Sequence, residues 1–120
     1  MTMKDSRLNV REDGDITHVS FLDRNILEEA NIQQIGDEIS GIVERSGNPK
    51  VLLDFANVEH LSSAALGTLI TINNKVKQKG GQLRLANIDP QIYEVFVITK
   101  LNKLFKILPN REEALASFSQ

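Results

Sequence analysis

The chain has 120 residues, a length that suits one domain around one core. Its 14 basic and 16 acidic residues leave a net charge of −2, which excludes the basic footprint of a nucleic-acid binder, and the absence of cysteine excludes disulfides, thiolate chemistry and Cys-ligated metal. No apolar run approaches the ~18 residues of a membrane-spanning helix, and the opening MTMKDSRLNV lacks the apolar centre of a signal peptide, so the expectation is a soluble cytoplasmic protein with no membrane or nucleic-acid partner.

Residues 1–6 are polar and read as a frayed tail of a single domain spanning 1–120. Leu8 and Val10, then Val19 and Phe21, alternate with polar residues on either side of Asp13-Gly14. That pattern predicts an antiparallel hairpin, about Arg7–Glu12 and Asp15–Leu22. His18 lies in the second strand with no paired ligand near it and reads as structural. A helix should start between Asn25 and Asn31, where Asn25-x-x-Glu28 and Asn31-x-x-Gln34 both resemble capping boxes. Ile32, Ile35, Ile39 and Ile42, joined by Val43, give it one apolar face, and Gly47-Asn48-Pro49 stops it.

Val51-Leu52-Leu53 is an apolar run without alternation, as in a strand buried on both faces, and it carries one acid, Asp54. After the short connection Ala56 to His60, Ser62-Ser63 opens a helix. Ala65, Leu66, Leu69, Ile70, Ile72 and Val76 have helical spacing, and Gly80-Gly81 ends the pattern. Gln82–Ile88 alternates at Leu83 and Leu85 as a strand. Asp89-Pro90 starts a helix with Ile92, Val95, Phe96 and Thr99 facing inward. Leu104–Leu108 reads as a last strand. Asn110 and Glu113 form a capping box for a final helix that Leu115 and Phe118 dock on the core. The expected class is therefore α/β: a mixed, largely parallel sheet of about five strands with about four helices, in the order β-β-α-β-α-β-α-β-α.

Few residue patterns point to catalysis. Gly80-Gly81 lacks the lysine and the strand-to-helix context of a phosphate loop. His60 and Ser63 sit close in sequence, but no nucleophile elbow surrounds them. His18, His60 and scattered acids lack metal-ligand spacing. Lys75, Lys77 and Lys79 are read as cations at the C-terminus of their own helix. The reading is a non-enzyme with no cofactor and no metal. A serine at a helix N-terminus is by default a cap.

The wording Asp54-Phe55-x-x-Val58-x-x-Leu61-Ser62-Ser63-Ala64-Ala65-Leu66-Gly67 resembles the signature of the STAS domain, the anti-sigma-factor antagonist family. The likeness extends over nearly the whole chain and is strongest from Lys50 to Ile107. It implies the STAS fold and a serine that is phosphorylated. Aligned on the small pair and Gly67, that serine is Ser63. Ser62 stands where the family usually has an acid and is the second candidate. The resemblance further implies an anti-sigma factor that is also a serine kinase, which binds the unphosphorylated antagonist and loses the phosphorylated one, and a metal-dependent serine phosphatase that resets it. The expected contact surface is the loop Val58, Glu59, His60, Leu61, the pair Ser62-Ser63, and the helix face Ala64, Thr68, Thr71 and Lys75. The connection Asp23-Arg24-Asn25-Ile26-Leu27 departs from the family's wording, so no contact is assigned to it.

Two alternatives remain at this level. One is a STAS scaffold module that is never switched. The other is a receiver-like domain with Asp54 as phospho-acceptor and Glu12 and Asp13 as its acidic pair. Against the receiver, the expected Ser or Thr after the fourth strand and the lysine before Pro109 are both missing, and Asp54 is read instead as a structural acid capping nearby N–H groups. Gly67, one turn into the serine helix, is expected where another element approaches closely.

Overall fold

In the computed structural model, which describes residues 8–118, hydrophobic alternation and the glycine stops translate into a five-stranded sheet with helices on both faces. The elements are β1 Leu8–Asp13, β2 Ile16–Phe21, β3 Asn25–Ile26, α1 Glu29–Arg45, β4 Lys50–Asp54, β5 His60–Leu61, α2 Ser63–Gln78, β6 Gln82–Ala86, α3 Pro90–Ile98, β7 Lys106–Leu108 and α4 Arg111–Ser117. The sheet order is β1-β2-β4-β6-β7. Only β1 and β2 are antiparallel; the other neighbours are parallel. The expected tail at residues 1–6 lies outside the described residues.

Because strand side chains alternate, each strand feeds two cores. Val19, Phe21, Val51, Leu53, Leu83 and Leu85 face α1, α2 and α3 and meet Ile35, Ile39, Leu69, Ile72 and Phe96 there. Leu52 and Ala86 face the other way, against Ala114 and Phe118 of the α4 region. Successive parallel crossovers of one hand put α1 to α3 on a single face, which leaves the opposite face to α4. Arg84 secures α4: its guanidinium donates to the Ser117 hydroxyl at 2.8 Å and lies 5.0 Å from the centre of the Phe118 ring.

Several local expectations are corrected. The hairpin turn is Gly14-Asp15, one residue later than expected, with Asp13 paired to Ile16. α1 begins at Glu29, and its N-cap Glu28 makes no side-chain cap bond, so neither capping box forms. Asn25 is unavailable because Asn25-Ile26 pairs in parallel with His60-Leu61, a two-stranded sheet too short to leave a periodic signal. The fourth long strand ends at Ala86, because Asn87 adopts a left-handed φ of 59°. A 3₁₀ turn at Leu101–Lys103 shortens the last strand to three residues. In α3 only Ile92 and Phe96 are buried, while Val95 and Thr99 face solvent.

The junction after α2 shows two physical constraints. Gly80 has φ +69° and closes the helix, its N–H bonded to the Lys77 carbonyl. A Cβ on Gly81 would lie 2.1 Å from the Pro49 carbonyl oxygen, so the backbone of the α1–β4 loop demands glycine there. The lysines also act differently from the expectation. Lys79 caps the neighbouring α1: its Nζ donates to the carbonyls of Glu44 at 2.6 Å, Ser46 at 2.7 Å and Val43 at 3.3 Å. Those are the orphan acceptors of a helix C-terminus, where a cation is also favoured by the dipole. Lys79→Met should therefore lower stability by about 1–2 kcal/mol in urea unfolding, with Lys77→Met, at an exposed position, near zero.

Candidate functional site

Asp54 anchors the region from beneath. Its Oδ1 accepts from the Ala56 N–H at 3.0 Å and from Asn87 Nδ2 at 3.1 Å, and its Oδ2 accepts from His18 Nε2 at 3.1 Å. Both His18 and Asp54 are buried. The acid thus caps the turn that leaves β4, as expected, and gives His18 its structural role. The receiver geometry is absent. Asp54 pairs with Ser20 at the end of β2, whereas Asp13 pairs with Ile16 at its start. Four residues of strand, roughly 13 Å, separate those positions.

From Asp54 the chain turns through buried Phe55 and Val58. Phe55 packs on Phe21 with ring centres 4.7 Å apart. The Arg24 carbonyl then accepts from the N–H groups of Glu59 (2.7 Å) and His60 (3.1 Å), and the Ile26 carbonyl from Ser62 (3.1 Å). Across the same short ladder, His60 Nδ1–H donates to Asn25 Oδ1 at 2.7 Å. The loop that departed from the family's wording is therefore the brace that aims the serine turn.

The two serines have different surroundings. Ser62 is the N-cap of α2: its Oγ accepts from the Ala65 N–H at 3.2 Å, and its carbonyl accepts from Leu66. Ser63 is the first helical residue, is exposed, and its hydroxyl has no hydrogen-bond partner among the described residues. Of the other expected contact residues, Glu59, His60, Ala64 and Thr71 are exposed, while Leu61, Thr68 and Lys75 are half-buried. Val58 is corrected: at 2% exposure its side chain supports the loop from inside. Lys75 is held by Glu44 at 3.2 Å.

Ala64, Thr68, Thr71 and Lys75 form one wall of an open groove of about 530 Å³. The opposite wall is α1, through Gln33, Asp37 and Ser40, and Leu27 stands at its mouth, 52% exposed. These residues were missed from sequence, although polar residues at 33, 37 and 40 around Gly36 make a helical-period stripe that marks a non-core face. Gly36 is where the helices come close: a Cβ there would lie 2.9 Å from Thr68 Cγ2. Gly67 is the reverse of the expectation. It is exposed, and a Cβ there would meet nothing within 4 Å. Among the described residues no group of three or more His, Asp or Glu side chains could hold a metal ion, and no helix is long and apolar enough to cross a membrane.

The profile of the STAS domain matches residues 8–114. The chain belongs to the STAS family. The domain is 30% identical over 95 residues to BtrV of Bordetella bronchiseptica, a candidate anti-sigma factor antagonist, covering 79% of this chain and 81% of BtrV. An anti-sigma F factor antagonist of Paenibacillus polymyxa is 24% identical over 73 residues, 61% of this chain and 62% of its own. In fold, the domain is similar to an anti-sigma-factor antagonist STAS protein of Planctomyces limnophilus, with a TM-score of 0.85 at 22% identity over 94% of this chain and 98% of that one. This STAS domain thus shares the mixed five-stranded sheet and four helices of antagonist proteins.

The glycines give a test. Gly67→Ala should raise stability by roughly 0.5–1 kcal/mol, the helix-propensity gain at an unobstructed position. Gly36→Ala should gain less or lose stability, because Thr68 must move. Thermal unfolding of the two variants measures the difference, and a destabilised Gly67→Ala would show a hidden close approach.

Proposed function

We propose that this STAS domain is an anti-sigma-factor antagonist whose partner binding is switched by phosphorylation at Ser63. The observation that carries the reading is the division between the two serines. A kinase needs an accessible hydroxyl whose oxygen can attack the γ-phosphoryl group while ADP leaves and a base on the kinase takes the proton. Ser63 offers that hydroxyl; the Ser62 oxygen is held by the Ala65 N–H. The identity with BtrV supports the antagonist role. The partner in this reading is an anti-sigma factor that is also a serine kinase, and a metal-dependent serine phosphatase reverses the modification.

A phosphate on Ser63 adds about −1.5 to −2 charges at the N-terminus of α2. The helix dipole and the free N–H groups of the first turn favour an anion there, so the fold persists. The effect falls on the partner, which would have to desolvate the dianion against its own surface. Gly67, one turn beyond Ser63 on the same face, is exposed with nothing within 4 Å of where a Cβ would stand, which lets a partner approach the backbone of α2 there.

Ser63→Ala should fold and bind the partner constitutively. Ser63→Glu should fold but bind at least tenfold more weakly, about 1.4 kcal/mol. Ser62→Ala should lose on the order of 1 kcal/mol of stability and still be phosphorylated. Mass spectrometry after incubation with the kinase that a pull-down recovers locates the phosphate. Phosphate on Ser62 alone would overturn the assignment, and a domain that binds a partner with neither serine ever modified would be the unswitched scaffold.

A further inference from the structure

A surface helix ordinarily carries one apolar stripe, and α3 does not. Its inner side is Ile92 and Phe96, yet its outer side carries Tyr93 (41% exposed), Val95 (41%), Val97 (45%) and Ile98 (79%). Glu94 is the one charged residue of the helix. At 100° per residue it stands opposite Ile92, in the middle of the outer side. Just beyond the C-terminal end lie Lys100 and Lys103. All three charges are exposed, and among the described residues none makes an ion pair or side-chain hydrogen bond. Beside the N-terminal half of α3 runs a groove of about 180 Å³ lined by Leu61, Leu66, Ile92 and Val95, with Glu59 also at its edge.

We propose that this face is self-complementary and that two copies of the chain pair through α3 about a two-fold axis. An antiparallel pairing sets the C-terminal end of one α3 over the N-terminal half of the other. Ile98 then enters the second copy's groove beside Val95, while Lys100 and Lys103 meet its Glu94. The two-fold repeats both contacts, so every knob and every charge is used twice. A parallel pairing would set lysine against lysine. An anionic lipid surface would attract the lysines but repel Glu94 at the centre of the face. A helix of nine residues is only about 13 Å long, so the contact falls below the ~800 Å² per partner of a standard interface. The dimer is therefore weak and concentration-dependent. Glu59 and His60 line the same groove, so a paired copy stands against the edge of the serine surface.

Sedimentation equilibrium of the full chain tests this between about 10 μM and about 1 mM, the range of weak interfaces. The mean mass should climb toward that of a dimer. Ile98→Asp should hold the chain monomeric without changing its melting temperature, since the side chain is solvent-exposed. Glu94→Lys alone, and Lys100→Glu with Lys103→Glu alone, should each be monomeric, and mixing those two variants in equal amounts should restore the dimer. A wild-type chain still monomeric at about 1 mM overturns the proposal. So does a dimer that survives Ile98→Asp, or a mixture that fails to associate. A monomeric chain that co-sediments with vesicles containing phosphatidylserine would assign the face to a membrane instead.

Discussion

A carboxylate at the end of a strand buried on both faces must have its lone pairs answered by the protein, and that requirement organises this fold. Asp54 answers it with three donors from three places: His18 on β2, the Ala56 N–H in the turn after β4, and Asn87 just after β6. Three adjacent strands are thereby tied to one residue, β4 and β6 at their ends and β2 at its middle. The loops that leave β4 and β6 inherit fixed starting points, and they lead to α2 and α3. Asn87 suits this arrangement because asparagine tolerates the left-handed φ of 59° better than most residues while its amide reaches Asp54. The position of the serine turn is thus set by a hydrogen-bond hub on the opposite side of the sheet from the helix it opens.

The parts of the fold legible in the sequence are those whose signal is periodic. β4 announced burial on both faces by its unbroken apolar run, and it is the central strand. α2 announced its inward face at Ala65, Leu69, Ile72 and Val76, all of which are buried. The caps Ser62, Asp89 and Asn110 were legible because each is a short polar acceptor just ahead of an apolar helical pattern, and each accepts the expected N–H bond. The start of α1 was illegible for the same chemical reason. Asn25 is also a short polar acceptor, but His60, 35 residues away, takes its side-chain oxygen. A local rule cannot see a distant competitor. The two-residue strands failed likewise, since pairing of Ile26 with Leu61 has no period to detect.

In the candidate site, the place of Ser62 and Ser63 at the start of α2 was legible, as was the exposure of Ala64 and Thr71, whereas Thr68 and Lys75 are half-buried against α1. Val58 was misplaced because loop position alone does not separate a residue that faces solvent from one that plugs the core under the loop. Gly67 was misjudged in the opposite direction. A glycine inside a helix suggests close approach within the chain, yet the space above it is empty. Gly36 carries the approach instead, against Thr68 across the α1–α2 contact. The two glycines look alike in sequence, and only the geometry of the neighbouring helix distinguishes them.

The adjacent serines separate two demands that a single residue would meet badly. A helix start needs an acceptor fixed in place, and a hydroxyl that is to be modified needs freedom and exposure. If one side chain did both, phosphorylation would change the cap itself, and the charge would act on helix stability as well as on a partner. With Ser62 holding the Ala65 N–H, a change at Ser63 leaves the cap in place. The departure from the family's wording at Ser62 is, in these terms, a substitution of one capping acceptor for another, since aspartate and serine serve nearly equally at an N-cap. What it alters is charge. An acid beside Ser63 would repel a phosphate placed there and compete for the same helix dipole, whereas the neutral hydroxyl of Ser62 would leave the dipole to that phosphate. In this chain, therefore, the N-terminus of α2 would accommodate a phosphate at Ser63 better than one with the family's usual acid at position 62.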